Sequence, residues 1–140
     1  MLKGTMLCCS IALASFGGAH AQTAMTPAPA AASAIKRTPL QDVDLPGNYH
    51  VVQAIAEIAA GTVSAGRHTH PGFDISYVLE GEGTLIVDGK PDQALKPGVV
   101  IQVPPDVPHD VKVGPDKPLK LLGIYVVEKG KPVAAPAPAK

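Results

Sequence analysis

His68-Thr69-His70-Pro71-Gly72-Phe73-Asp74 runs directly into Ile75-Ser76-Tyr77-Val78-Leu79-Glu80-Gly81. The two histidines stand two residues apart. Side chains of a β-strand alternate between faces, so a strand through this stretch aims both imidazoles the same way. Asp74 adds a carboxylate four residues on, and Pro108-His109 brings a third imidazole from far downstream. Three neutral imidazoles with one carboxylate suit Fe, Mn, Co, Ni, Cu or Zn better than Mg or Ca, which take all-oxygen shells. The candidate ligands of a divalent transition metal are therefore His68, His70, Asp74 and His109.

The surrounding pattern is β throughout. Val51 to Ala59 is apolar-rich with Gln53 and Glu57 on one alternating face, and Ile75 to Leu79 follows the histidine pair. Thr84 to Val87 leads into Asp88-Gly89, a strong two-residue hairpin signal, with a return strand through Gln93 to Leu95. Val99 to Val103, Val107 to Val113 and Leu119 to Val127 complete the predicted strands. Gly81-Glu82-Gly83, Lys96-Pro97-Gly98, Pro104-Pro105-Asp106 and Gly114-Pro115-Asp116 supply the turns between them. Val52 to Ala60 tolerates helix, but its apolar spacing fits a strand better. Many short strands punctuated by Gly and Pro imply an all-β sandwich or barrel. Closing a sheet this small hides its edges and creates a mouth for a ligand.

At this point the sequence resembles the cupins. His68 to Asp74 with Tyr77-Val78-Leu79-Glu80-Gly81 resembles their first motif. Lys96-Pro97-Gly98 with Val103-Pro104-Pro105-Asp106-Val107-Pro108-His109 resembles the second. The likeness covers about residues 50–127. It implies a single-domain cupin-type β-barrel (a double-stranded β-helix, or jelly roll), with metal ligands on His68, His70 and His109. The family's usual glutamate ligand falls on Asp74, one methylene shorter. Its usual glycine three residues before the last histidine falls on Asp106, and a frequent asparagine four residues after it falls on Val113. The glycine replacement perturbs a turn; the asparagine replacement removes a polar neighbour of the ligands.

Lys3, the short apolar run from Met6 to Phe16 and Ala19-His20-Ala21 together read as a signal peptide over residues 1–21, cleaved after Ala21. That run is too short to span a bilayer. Both cysteines, Cys8 and Cys9, lie in it, so the mature chain has no thiolate chemistry and no disulfide. Residues 22–40 form an Ala/Pro-rich spacer, 41–129 the barrel, and 130–140 a flexible Pro/Ala tail. Loss of Lys3 leaves 11 basic against 12 acidic residues, which gives no electrostatic reason to expect nucleic acid or an anionic membrane as partner. The chain is expected to be periplasmic or secreted, where Zn and Cu outcompete weaker binders.

Several other residues carry bland readings. His50 starts a strand and reads as satisfied or exposed; Arg67 falls on the face opposite the histidines and reads as a solvated charge. Phe73 either narrows the mouth or covers the core. Tyr77 and Leu79 pack the barrel or a subunit contact. Tyr125 and Glu57 are the only other mid-strand candidates for acid–base work. The function expected is a metal-holding barrel that binds a small molecule, with a possible homodimer. Two alternatives stand beside it: a metal-dependent dioxygenase, isomerase or lyase on a small phenolic or enolic substrate, and a non-catalytic structural barrel. With no Trp and few aromatic residues, a stacking platform for a large aromatic substrate is not expected.

Overall fold

The structure is a computed structural model that describes residues 35–138. The expected signal peptide over 1–21 and spacer residues 22–34 lie outside the described residues, as do 139–140. Ten strands follow in order: β1 (Ile35–Asp44), β2 (Tyr49–Ile58), β3 (His68–Thr69), β4 (Gly72–Glu80), β5 (Gly83–Val87), β6 (Gln93–Leu95), β7 (Val100–Val103), β8 (His109–Val113), β9 (Leu119–Glu128) and β10 (Ala135–Pro136). They form two five-stranded antiparallel sheets, ordered β1-β2-β9-β4-β7 and β10-β3-β8-β5-β6. Among the described residues there is no helix, and the expected all-β architecture is what the chain adopts.

Alternation along each strand builds the interior. β4 reads buried–exposed from Gly72 to Val78, so Asp74, Ser76 and Val78 point inward while Phe73, Ile75 and Tyr77 point out. Val78 and Leu119 are wholly buried between the sheets, with Leu85, Leu95, Ile101 and Val103 around them. Burying each such aliphatic side chain contributes about 1.5–3 kcal/mol relative to leaving it in water. Phe73, Tyr77 and Leu79 are exposed on the outer face, so Phe73 neither narrows the mouth nor covers the core, and the other two do not pack the barrel.

The strands stop where the turn residues stand, with one difference of length. Asp88-Gly89 does turn the chain, with Gly89 at φ 75° and Lys90 N–H donating to the Val87 carbonyl. The ladder resumes only at Leu85↔Gln93, because Pro91 has no N–H to offer a tight two-residue hairpin.

Two elements lie where spacer and tail were expected. β1 occupies 35–44 and pairs along β2 from Ile35↔Ile58 to Asp44↔His50. β10, within the expected tail, pairs with β3 through Ala135↔Thr69 and Pro136↔His68. The ordered barrel thus extends at both ends beyond the 41–129 boundaries.

Gly72 makes the crossing between sheets possible. The chain leaves β3 in one sheet and enters β4 in the other with only His70 and Pro71 between them. A Cβ on Gly72 would stand 2.0 Å from the Val126 carbonyl oxygen and 2.6 Å from Val127 Cα, so only glycine lets β4 approach β9 there. This crossing places side chains from both sheets around one point.

Candidate metal centre

His68 and His109 are register partners across β3 and β8. His70 follows at the crossing, and Asp74 enters from β4, opposite Tyr125 of β9. The three rings close on each other, with centroids 4.9 Å apart for His68–His70, 4.3 Å for His68–His109 and 5.1 Å for His70–His109. Their ligating nitrogens all lie within 4.8 Å of one another. Asp74 stands slightly apart from this group, its Oδ2 being 3.8 Å from His70 Nε2 and 3.9 Å from His109 Nε2. Those separations are too long for hydrogen bonds. His50 lies outside the cluster and is held by Asp42 at 2.9 Å and Asp44 at 2.8 Å. Arg67, read as solvated, is instead half-buried in an ion pair with Asp88.

The hydrogen bonds decide which ring nitrogens face inward. Nδ1 of His68 meets the Gly66 carbonyl at 2.7 Å, that of His70 the Val133 carbonyl at 2.6 Å, and that of His109 the Val107 carbonyl at 2.9 Å. A carbonyl only accepts, so each neutral ring carries its proton on Nδ1 and presents an unprotonated Nε2. Nε2 of His70 and of His109 are buried with no hydrogen-bond partner. Orphaned buried acceptors cost free energy unless something fills the space between them. Ring N–H groups bonded to backbone carbonyls are also how metal-ligating imidazoles are oriented. The residues present therefore fit a divalent cation, and the three histidines could hold one.

Burial governs the charges. It lowers the pKa of His70 to about 4 and depresses His109 in the same direction, which keeps both rings neutral. It raises the Asp74 carboxyl above its ordinary value, against the opposing effect of the Ser76 hydroxyl, which donates to Oδ1. A cation at the cluster would supply the positive charge that the buried carboxylate otherwise lacks.

Tyr125 packs its ring on His70, centroids 4.8 Å apart, and burial pushes its hydroxyl up to about 12, so it stays a phenol. Gly123 makes room for it: a Cβ there would lie 2.7 Å from the Tyr125 hydroxyl. Glu57, the other acid–base candidate, pairs with Lys120 instead and does not line the cavity. That cavity, between Arg37, His68, Asp74, Ser76, His109 and Tyr125, holds about 30 Å³, room for an ion or a water rather than a large ligand. A cleft of about 330 Å³ lies outside it over Arg37, Arg67, His68 and Ala135. Another, of about 280 Å³, beside Gly81, Glu82 and Asp116 contains none of the histidines, so size does not locate the chemistry.

Three contributors escaped the sequence pattern. The Val133 carbonyl is main chain and carries no side-chain signal. Ser76 was detectable only by its inward parity with Asp74. Arg37 sits on a strand whose polar composition hid it.

A family model of the cupin domain matches residues 54–125. A comparison with curated proteins returned no match. Among solved structures, the polyketide cyclase RemF from Streptomyces resistomycificus has a TM-score of 0.60 at 22% identity, covering 76% of this chain and 73% of that one. The DMSP lyase DddQ from Ruegeria pomeroyi DSS-3 has a TM-score of 0.55 at 22% identity, covering 61% and 42%. A cupin 2 conserved barrel domain protein from Leptotrichia buccalis has a TM-score of 0.53 at 33% identity, covering 68% and 41%. The chain thus spans about four-tenths of the length of these last two proteins. The first two likenesses are of fold alone. The matched segment runs from β2 into β9 and encloses His68, His70, Asp74 and His109. By its barrel, its paired motifs and this match, the chain belongs to the cupin family.

Proposed function

We propose that this chain is an exported cupin that holds a divalent transition metal through His68, His70 and His109, with Asp74 as fourth ligand, and uses it to bind a small molecule. One observation carries the reading: two buried Nε2 atoms without a hydrogen bond face a common point, while Nδ1 of each of the three cluster histidines is fixed by a carbonyl. Two nitrogens bound to one ion at about 2.1 Å stand roughly 3–4 Å apart, so binding draws the rings slightly inward. Once bound, the ion supplies Lewis acidity and an open coordination position. The chain's own residues hold the rings, seat the carboxylate against Ser76 and keep bulk water out. Export rests on the signal pattern in residues 1–21 and places metal loading outside the cytoplasm.

A second reading, a metal-dependent oxidoreductase or lyase on a small enolic or phenolic substrate, has one specific support. Tyr125 packs its ring on His70 and lines the cavity, where its neutral hydroxyl could hand a proton to a ligand. A homodimer belongs to the same proposal: Phe73, Ile75, Tyr77, Leu79 and Val100 are exposed on the outer face of β4 and β7, an apolar surface a second copy would cover. Sedimentation showing only monomer at high concentration would remove it.

The test of the metal reading is elemental analysis of protein expressed to the periplasm with metal supplementation. About one equivalent of divalent metal is expected, and His109→Ala lowers it far more than His50→Ala. Less than about a tenth of an equivalent, or equal losses in the two variants, contradicts the reading.

A further inference from the structure

Arg37 is the cation that the metal centre does not explain. Its register partner is Ala56, which is buried on the inner face of its sheet. Alternation therefore puts Arg37 on that same face, but on the edge strand β1, where it stays solvent-exposed at the rim of the barrel. The inner-face residues it must cross are small. Ala54 pairs with Gly123, and both Ala54 and Ala56 are buried methyls. Across that shallow floor Arg37 and Tyr125 line the same small cavity. Arg37 and His68 border both the inner cavity and the outer cleft, so they form the throat between the two.

The chain has only two arginines, and they differ in their partners. Arg67, also on the outer cleft, is neutralised by Asp88 and donates to the Pro138 carbonyl at 2.6 Å. Among the described residues no carboxylate lies within ion-pair distance of Arg37. Given the metal reading, a divalent ion, Asp74 and Arg37 leave the site with two net positive charges. A planar guanidinium matches a carboxylate by two parallel hydrogen bonds, which a point-like ammonium does not.

We infer that Arg37 is a specificity-determining residue that grips a carboxylate of the ligand, and that the ligand is a small organic dianion with a second oxygen donor for the metal. This rests on the metal reading proposed above. The inner cavity accepts only the small donor end, and the rest of the ligand occupies the outer cleft. Tyr125 orients the guanidinium and offers its hydroxyl to the same carboxylate.

The experiment uses the purified protein loaded with Co(II), its cobalt measured first, and titrated with succinate or its neutral diamide by calorimetry. Wild-type protein is expected to bind succinate and not the diamide. Arg37→Gln weakens succinate binding by about tenfold or more, Arg37→Lys weakens it less, and Arg67→Gln changes it less than about twofold. Cobalt content stays equal in all four proteins, and circular dichroism checks the fold; Arg37→Lys keeps the test open should Arg37→Gln unfold. Equal succinate affinity in wild type and both Arg37 variants, or no succinate binding by cobalt-loaded wild type, overturns the inference. Failure of wild type to take up cobalt instead overturns the metal reading, and this inference with it.

Discussion

His68 and His109 are directly opposed across the β3–β8 ladder, with ring centroids 4.3 Å apart. Each also anchors its ring to the carbonyl two residues before it, Gly66 and Val107. The same local device, repeated on two strands, aims two Nε2 atoms at one point. His70 uses a different device, a carbonyl 63 residues away in the sequence.

That difference gives a prediction about the C-terminal segment. Deleting residues 132–140 removes the Val133 carbonyl and β10, which pairs with His68. Metal affinity is expected to fall about 10–100-fold, the usual effect of losing a hydrogen bond that orients a ligand, while the circular dichroism of the barrel is retained. Unchanged affinity in a competition titration would show that the carbonyl does not orient His70.

Protonation gives the second prediction, for metal-free protein. Burial lowers the pKa of the folded His70 from 6.5 to about 4 and lowers that of His109 too. Below 6.5 the unfolded chain binds protons that the folded rings do not, so stability rises with pH across roughly 4 to 6.5. Asp74 acts in the opposite sense. Its raised carboxyl stabilises the fold at low pH, and that contribution is lost as pH rises from 3.8 through the folded value. Two rings oppose one carboxyl, so urea denaturation is expected to show greater stability at pH 6.5 than at about pH 4.5. His70→Gln flattens that slope; an unaltered slope would contradict the burial of a neutral ring.

The third prediction concerns Asp106. It occupies the left-handed region at φ 59°, the only described non-glycine residue to do so, while its N–H donates to the His70 carbonyl at 2.8 Å. Holding a side-chain-bearing residue there costs roughly 1 kcal/mol. Asp106→Gly is expected to raise stability by about 0.5–1 kcal/mol with metal content unchanged. A loss of stability in denaturant would mean that the aspartate side chain supports the turn.

Gly123 gives the fourth. A methyl at this position meets the Tyr125 hydroxyl at 2.7 Å and two ring carbons at 3.0 Å. Gly123→Ala is expected to destabilise the protein by about 1–3 kcal/mol through overpacking. The penalty shrinks in a Tyr125→Phe background, because the nearest atom is gone. Additive effects in the double-mutant cycle would show that the two residues do not contend for the same space.

Most of the fold was readable because β7, β8 and β9 alternate inward apolar side chains with outward ones, β4 keeps the same period of two with Asp74 and Ser76 inward, and glycine and proline mark their ends. β1 was not. It is an exposed edge strand whose Lys36, Arg37, Gln41 and Asp42 bury little, and whose pairing shifts register between Pro39 and Gln41. Such a strand is held by main-chain bonds and leaves almost no apolar signature. The same physics hid β10 and the Val133 carbonyl. In the site, His68, His70 and His109 come together as their spacing predicted, and Asp74 comes within 4 Å of two of the rings. Arg37 stayed invisible because its role depends on which face an unrecognised strand presents.

X-ray absorption on the zinc-loaded protein tests the central claim most directly, since it counts the scatterers around the ion itself. Three imidazole nitrogens at about 2.0–2.1 Å with one oxygen are expected, falling to two nitrogens in His109→Ala. A zinc shell with one imidazole or none would contradict it.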